Sequence, residues 1–71
     1  MIDSELYSYR VFWSEEDQEF IGLCEEFSLL SHLDESSDLA FAGIKALVKD
    51  VIEYREQQNQ YIPQPGVVSA V

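Results

Sequence analysis

Three consecutive acidic residues, Glu15, Glu16 and Asp17, form the first group in this sequence whose types could do chemistry. Carboxylate oxygens bind hard cations, but a metal site needs ligands that converge on one ion from several segments. Three adjacent carboxylates instead diverge and repel one another, and the sequence lacks the D-x-D-x-D-G spacing of a calcium loop. Since runs of charge are usually solvated, we predict a solvated turn or docking surface here, and no metal site.

Cys24 and His32 are the only cysteine and the only histidine. Zinc needs several nitrogen or sulfur ligands, so these two residues do not predict a zinc site. A Cys–His nucleophile pair stays open as an alternative, because both residues could be neighbours in a small sheet. The surrounding acids would raise the thiol pKa, however, which favours a small buried hydrophobe. A single cysteine also excludes an internal disulfide and favours the reducing cytoplasm.

The fourteen carboxylates leave acid–base pairs possible by spacing, but 71 residues leave little room for a desolvated pocket. Such pockets occupy about 300 Å³ or more. The sequence also lacks a glycine-rich phosphate loop and a nucleophile elbow. We therefore predict a chain that is not an enzyme and uses no cofactor, with a degenerate metal-dependent nuclease as the less favoured alternative.

The charge is strongly segregated along the chain. Residues 1–38 hold eleven acids and one base, Arg10, whereas residues 39–71 hold three of each, so the net charge of −10 lies in the first half. Phosphate backbones demand the opposite sign, so direct nucleic-acid binding is not expected. A basic protein partner would suit this half; the competing interpretation is that acidity only keeps a small protein in solution.

The elements that must position these residues follow from the apolar pattern. Alternation predicts a strand over Leu6 to Trp13, a turn over Ser14 to Gln18, and a second strand over Glu19 to Glu25. A third strand is expected over Ser28 to Leu33. On the first strand, we expect one face to carry Tyr7, Tyr9, Val11 and Trp13 and the other to carry Leu6, Ser8, Arg10 and Phe12. On the second strand, Ile21 and Leu23 share one face, and Phe20, Gly22 and Cys24 share the other.

A helical period replaces the alternation after Ser36 or Ser37, which are suitable N-caps. From Asp38 to about Gln58, one broad side collects Ala40, Gly43, Ile44, Leu47, Val48, Val51 and Tyr54. Phe41 and Ile52 lie at the edge of this side. The helix is expected to fray over residues 57–60 and to stop at the Ile62–Gly66 segment. The fold class is therefore a two-layer α+β unit in β-β-β-α order, with one helix on a small antiparallel sheet.

We divide the chain into a domain over residues 1–66 and an apolar tail over residues 67–71, which is either a fourth strand or a linker to a further module. No apolar run reaches the ~20 residues of a membrane span, and residues 1–10 lack the layout of a signal peptide. These features favour a soluble cytoplasmic protein without a membrane partner.

The order of motifs resembles the HicB-type antitoxins of bacterial type II toxin–antitoxin systems. Trp13 to Asp17 match a first strand that ends in Trp-Ser-x-Glu-Asp, and Glu19 to Cys24 match a second strand that ends in Gly-Leu-Cys. Glu26 to Leu33 match the "EFPxLSxL" segment, with Ser28 in place of its proline. Leu39 to Ile44 match "ALAGI" after the cap, and Ile62 to Pro65 match the closing "(V/I)PxP".

The resemblance covers about residues 7 to 65 and implies a partial ribonuclease-H-like fold. It also implies a partner, a small basic toxin of the HicA type that cleaves messenger RNA and is neutralised by direct binding. Because Leu6 to Trp13 contain no Asp or Glu, the acids that a ribonuclease-H site needs on the first strand are missing. Family members usually carry a DNA-binding module after this domain, and this chain ends at Val71 before one could form.

The sequence thus predicts an antitoxin domain, with a homo-oligomeric interaction module as the alternative. Candidate contacts with the partner are Trp13, Glu15, Glu16, Asp17, Glu25, Glu26 and Phe27. Trp13 has a second interpretation, because it could instead close the hairpin face toward the helix. Candidate positions for self-association into a dimer or higher oligomer are Phe41, Ile52, Val67 and Val68.

Overall fold

The computed structural model describes residues 3–66 and contains a sheet followed by a helix. Strands β1 (Tyr9–Ser14), β2 (Glu19–Cys24) and β3 (Ser31–Asp34) form an antiparallel sheet in the order β1-β2-β3. Helix α1 (Ser37–Gln57) follows. The predicted small α+β fold with β-β-β-α order is confirmed.

The chain enters the sheet later than the alternation predicts. Strand β1 begins at Tyr9, because Ser4–Leu6 form a short 3-10 helix instead of extended chain. The side chain of Asp3 caps this turn by accepting a hydrogen bond from the Glu5 amide at 2.9 Å. Side-chain caps of this kind compete with extended structure, and a period-2 pattern of apolar residues does not reveal them.

The third strand is shorter than expected and is displaced along the chain. We predicted Ser28 to Leu33, but β3 begins only at Ser31. The preceding residues form two tight turns, in which the Phe27 amide donates to the Cys24 carbonyl at 3.2 Å and the Leu30 amide donates to the Phe27 carbonyl at 3.0 Å. These turns satisfy backbone groups that a longer strand would have paired with β2.

The strand register agrees with the alternation predicted within each strand and shows which faces of neighbouring strands combine. Phe12 lies opposite Ile21, and Ile21 lies opposite Leu33 on the other side of β2. Because side chains alternate along a strand, residues in register share a face. One face, here called the covered face, carries Tyr9, Val11, Trp13, Phe20, Gly22, Cys24, His32 and Asp34. The other, called the open face, carries Arg10, Phe12, Ser14, Glu19, Ile21, Leu23, Ser31 and Leu33.

Helix α1 begins and ends with specific caps. Ser36 is the N-cap, and its Oγ accepts from the Leu39 amide at 3.1 Å. At the other end, Asn59 adopts a left-handed φ of 54°, and the Gln60 amide donates to the Arg55 carbonyl at 2.9 Å. This is a Schellman arrangement. The helix therefore ends within one residue of the predicted end near Gln58, but Asn59 terminates it and the Ile62–Gly66 segment does not.

The helix packs on the covered face at close range. Ala40, Ile44 and Val48 have no measurable exposure. A Cβ atom on Gly22 would lie 2.6 Å from the Ala40 carbonyl oxygen and 2.9 Å from Ile44 Cγ2. Gly22 is therefore required by the distance between β2 and the helix. The core formed in this way also includes Tyr7, Cys24, Phe27 and Ile52.

The buried side of α1 is rotated relative to the predicted one. Ile52, which we placed at the edge, is only 2% exposed and belongs to the core. Tyr54, which we placed on the core side, is 58% exposed. The spacing of the four fully buried helical positions, Ala40, Ile44, Val48 and Ile52, is four residues throughout. This spacing gives a stripe narrower than the broad side that we predicted.

The segment after the helix returns to the start of the sheet. Ile62 packs against the core, and the Tyr7 hydroxyl donates to the Pro63 carbonyl at 2.6 Å. Within residues 3–66, no helix is both long enough and apolar enough to cross a bilayer. The predicted role of residues 67–71 as a strand or linker falls outside the described part of the chain.

Candidate protein-binding surface

The acidic turn is held together by its own side chains. The Ser14 hydroxyl donates to Asp17 Oδ2 at 2.9 Å and accepts from the Asp17 amide at 3.2 Å. Gln18 Nε2 donates to the Glu15 carbonyl at 2.7 Å, and Gln18 adopts a φ of 55°. All residues from Glu15 to Gln18 are exposed. Among residues 3–66, no group of three potential metal ligands comes together, and the turn is an exposed acidic surface.

Trp13 lies on the covered face but beyond the part that the helix covers. It remains 45% exposed, and its ring contacts Phe20 edge-on with the centroids 5.1 Å apart. Its Nε1 donates to Glu15 Oε2 at 2.7 Å. The interpretation of Trp13 as a core residue is therefore wrong. It is instead an accessible aromatic side chain that one of the turn acids orients.

Two neighbouring acids have opposite roles. Glu25 is exposed, and it forms an ion pair with Arg10 at 3.5 Å. Glu26 is partly buried and accepts from the Ser8 amide at 3.0 Å, the Ser8 hydroxyl at 3.1 Å and the Gly66 amide at 2.7 Å. Burial by itself would raise the pKa of Glu26, but these hydrogen bonds outweigh it and lower the pKa. Glu26 thus links the segments that contain Ser8 and Gly66, and we call this link the Glu26 clasp. Because its carboxylate already accepts these hydrogen bonds, our assignment of Glu26 as a contact with a partner is corrected.

Phe27 also serves the core. It is 5% exposed, its ring lies 5.4 Å from that of Tyr7, and the Arg55 guanidinium lies over it at 5.3 Å. A partner cannot reach this side chain without opening the core. The assignment of Phe27 as a contact residue is therefore also corrected.

The four positions proposed for self-association differ in their surroundings. Phe41 is 42% exposed and packs edge-on against Tyr9 at the β1 side of the helix, with Lys45 over its ring at 5.0 Å. Ile52 is buried within the chain, so that assignment is wrong for this fold. Val67 and Val68 lie outside the described residues.

Cys24 and His32 do not form a nucleophile pair. Cys24 lies opposite Tyr9, and His32 lies opposite Gly22. Burial raises the pKa of the Cys24 thiol to about 11, so it stays protonated at neutral pH. The His32 ring packs so closely against Gly43 that a Cβ there would overlap it, and Nε2 lies 3.3 Å from Asp34 Oδ2. Both residues have structural roles, as the favoured interpretation of Cys24 predicted.

An open groove of about 550 Å³ lies between the 3-10 helix and the outer side of α1. This groove is open to solvent, so it is not the desolvated pocket for which we expected little room. The groove is lined by both signs of charge, including Lys45 and Lys49 beside Glu5, Glu53 and Glu56. Lys45 and Glu5 already form an ion pair. With Asp3, the lining thus holds four acids against two lysines, one of which is already paired.

The feature that sequence reasoning missed is the open face. Phe12 and Leu33 are each 39% exposed there, and Ile21 lies between them, partly exposed. Within residues 3–66, the one α-helix packs on the other face. The alternation correctly placed Ile21 with Leu23 on one side of β2, and Phe12 on the side of β1 opposite Trp13. What it could not reveal is that no described element covers the open face.

Comparison of the chain with protein-family models, with curated proteins and with solved structures finds no match.

Proposed function

We propose that this chain is the toxin-neutralising domain of a HicB-like antitoxin, which binds a small basic RNA-cleaving toxin in the cytoplasm. The observation that carries the proposal is the segregation of charge: eleven acids and one base in residues 1–38, against three of each in residues 39–71. All three strands of the sheet lie in the first of these halves. Solubility alone would be served by acids on any surface, including the helix.

This distribution separates the net charge of the molecule between its parts. Most of the net negative charge lies in the segments before the helix, while α1 carries four acids and three bases and so a net charge of only −1. Such a field attracts a basic protein, orients it toward the sheet and repels nucleic acid. An antitoxin of this kind would act by covering the toxin surface that RNA must occupy.

The proposal includes a ribonuclease-H-like ancestry of the fold without its chemistry. Strand β1 contains no Asp or Glu, and the acids of the adjacent turn are exposed. Two-metal nuclease chemistry requires carboxylates that hold the ions about 4 Å apart. We therefore propose a binding protein and no catalytic activity.

The test uses the product of the gene adjacent to this one, because toxin and antitoxin genes of this type are usually neighbours. The purified neighbour should be a small basic protein that cleaves RNA, and stoichiometric addition of this chain should stop the cleavage. Binding should weaken as salt is raised from about 0.05 to 0.5 M, since exposed charges are screened. A neighbour that is not basic, or that does not bind at about 0.15 M salt, would refute the proposal.

A matched pair of variants tests whether the position of the acids matters. One variant neutralises the turn by Glu15→Gln, Glu16→Gln and Asp17→Asn, and the control neutralises three helical acids by Asp50→Asn, Glu53→Gln and Glu56→Gln. Both remove three negative charges. We expect the association rate with the toxin at low salt to fall by about fivefold or more for the turn variant and less than about twofold for the helical variant. Equal effects would mean that only total charge matters.

A further inference from the structure

The open face of the sheet carries a continuous apolar row. Phe12, Ile21 and Leu33 lie in register on three adjacent strands, and Leu23 follows two residues along β2. Neighbouring strands are about 4.8 Å apart, so the row extends about 10 Å across the sheet. Phe12 and Leu33, at its two ends, each retain 39% of their exposure.

An antiparallel sheet with one solvated face normally carries polar side chains there. Here the centre of the open face is apolar, while the polar positions Ser14, Glu19 and Ser31 lie at its ends. An apolar centre with a polar margin is the composition of a protein interface, in which the centre is desolvated and the margin stays wet. The open face therefore has the layout of an interaction surface.

The margin of this face is negative. Glu19 stands at one end of the β2 row, next to the exposed turn acids, and Glu25 follows the other end. Arg10 is the only lysine or arginine in residues 1–38. Its guanidinium lies 3.5 Å from the Glu25 carboxylate and 5.5 Å from the centroid of the Phe12 ring. This arrangement offsets the one positive charge and leaves the acids dominant.

The charge also decides between possible occupants. A second copy of this chain would bring another net charge of −10 and would set its own Glu19 and Glu25 near those of the first. A basic protein segment would instead place apolar side chains on the row and lysine or arginine at the margin. Complementarity of sign favours the basic segment.

We propose that the open face, centred on Phe12, Ile21 and Leu33, is the surface that binds the basic toxin, through a toxin segment with apolar side chains flanked by lysine or arginine. This proposal rests on the proposed function, because it names the surface at which that neutralisation occurs. It places the main contact on the sheet face. The acidic turn then contributes steering at the margin.

The experiment measures the Kd of the purified neighbouring toxin for pairs of variants that each exchange one exposed apolar residue for lysine. Leu33→Lys on the open face is matched with Leu39→Lys, which is 56% exposed on the helix. Phe12→Lys is matched with Tyr54→Lys, which is 58% exposed. Each substitution adds one positive charge, so the long-range repulsion of a basic toxin is the same in all four. Circular dichroism and thermal unfolding verify that each variant folds.

We expect Leu33→Lys and Phe12→Lys to weaken binding at least about tenfold, as loss of a central contact does, and the two controls to change the Kd by less than about threefold. Equal losses of affinity in all four variants would refute the proposal that the open face binds the toxin, and would leave the proposed antitoxin function in place. If the wild-type chain does not bind the toxin, both proposals fail. If light scattering shows a dimer that Leu33→Lys converts to a monomer, the occupant is a second copy and this proposal is wrong.

Discussion

The two faces of the sheet are built from similar residues and meet different surroundings. On the covered face, Gly22 brings the backbone of β2 so close to the helix that a methyl group does not fit. On the open face, Ile21 is the next residue along the same strand and is only partly buried. Adjacent positions therefore differ in what they contribute. The covered face stabilises the fold, and apolar residues on the open face add little to it because they remain in contact with water.

The largest effect expected from this difference comes from a pair of aliphatic truncations. Ile44→Ala removes a fully buried side chain and should lower the free energy of unfolding by about 2–5 kcal/mol. A chain of this length has a total stability of roughly 4–10 kcal/mol, so this variant should be close to unfolded. Leu33→Ala, on the open face, should cost less than about 1 kcal/mol. Urea denaturation measures both, and similar losses would mean that the two faces are equally buried.

A smaller effect should come from the contact between the third strand and the helix. Gly43→Ala places a Cβ in the volume of the His32 ring, and we expect a net loss of about 1–2 kcal/mol from overpacking. In a His32→Ala background the same substitution should be neutral or stabilising by up to about 1 kcal/mol, because alanine is the better helix former. Thermal unfolding of the four proteins in this double-mutant cycle gives the coupling. If the two changes in the free energy of unfolding are additive, the His32 ring moves away from the added methyl group without a loss of stability.

An effect of the same size as that of Gly43→Ala distinguishes internal acids from surface acids. Glu26→Gln replaces an acceptor oxygen with a donor facing the Ser8 and Gly66 donors, and should cost about 1–2 kcal/mol at pH 7. Glu25→Gln is the control and should change stability by less than about 0.5 kcal/mol, because its ion pair is exposed.

The pH dependence of the Glu26 effect has a definite sign. The pKa of Glu26 is lowered in the fold from its ordinary value of 4.5. The unfolded chain therefore takes up a proton first, and the stabilisation by Glu26 is complete above pH 4.5 and declines as the pH falls through the folded value. The difference between wild type and Glu26→Gln should shrink in acid. A difference that grows below pH 4.5 would contradict this account.

The sequence predicted those features that depend on local geometry. Alternation placed Val11 and Phe12 on opposite faces correctly, because successive side chains of any strand point to opposite sides. The helix start at Ser36 was also recognisable, since an N-cap hydroxyl followed by a helical period is a local signal. These features can be predicted without knowing which elements pack against each other.

What could not be predicted depends on residues far apart in the chain. Glu26 and Phe27 look like surface and contact residues in the pattern, yet Glu26 binds Gly66, 40 residues away. Phe27 is buried by Tyr7 and Arg55, which come from opposite ends of the domain. The rotation of the helix that buries Ile52 and exposes Tyr54 is likewise set by the sheet beneath it. The function prediction rests on charge and on the resemblance, and it stays a prediction.

The Glu26 clasp has a consequence for the connectivity of the fold. The Ser8 amide donates to Glu26 Oε1, and the Ser8 hydroxyl and the Gly66 amide both donate to Glu26 Oε2. Glu26 thus joins the two ends of the stretch that contains all three strands and the helix, and this stretch is a nearly closed ring. In such a ring, the position of the break in the backbone is to some degree arbitrary. The exposed loop from Glu15 to Gln18 lies at the other end of β1. A circular permutant in which the original ends are linked and the chain is opened at this loop should therefore keep the fold, with its new termini at the acidic turn.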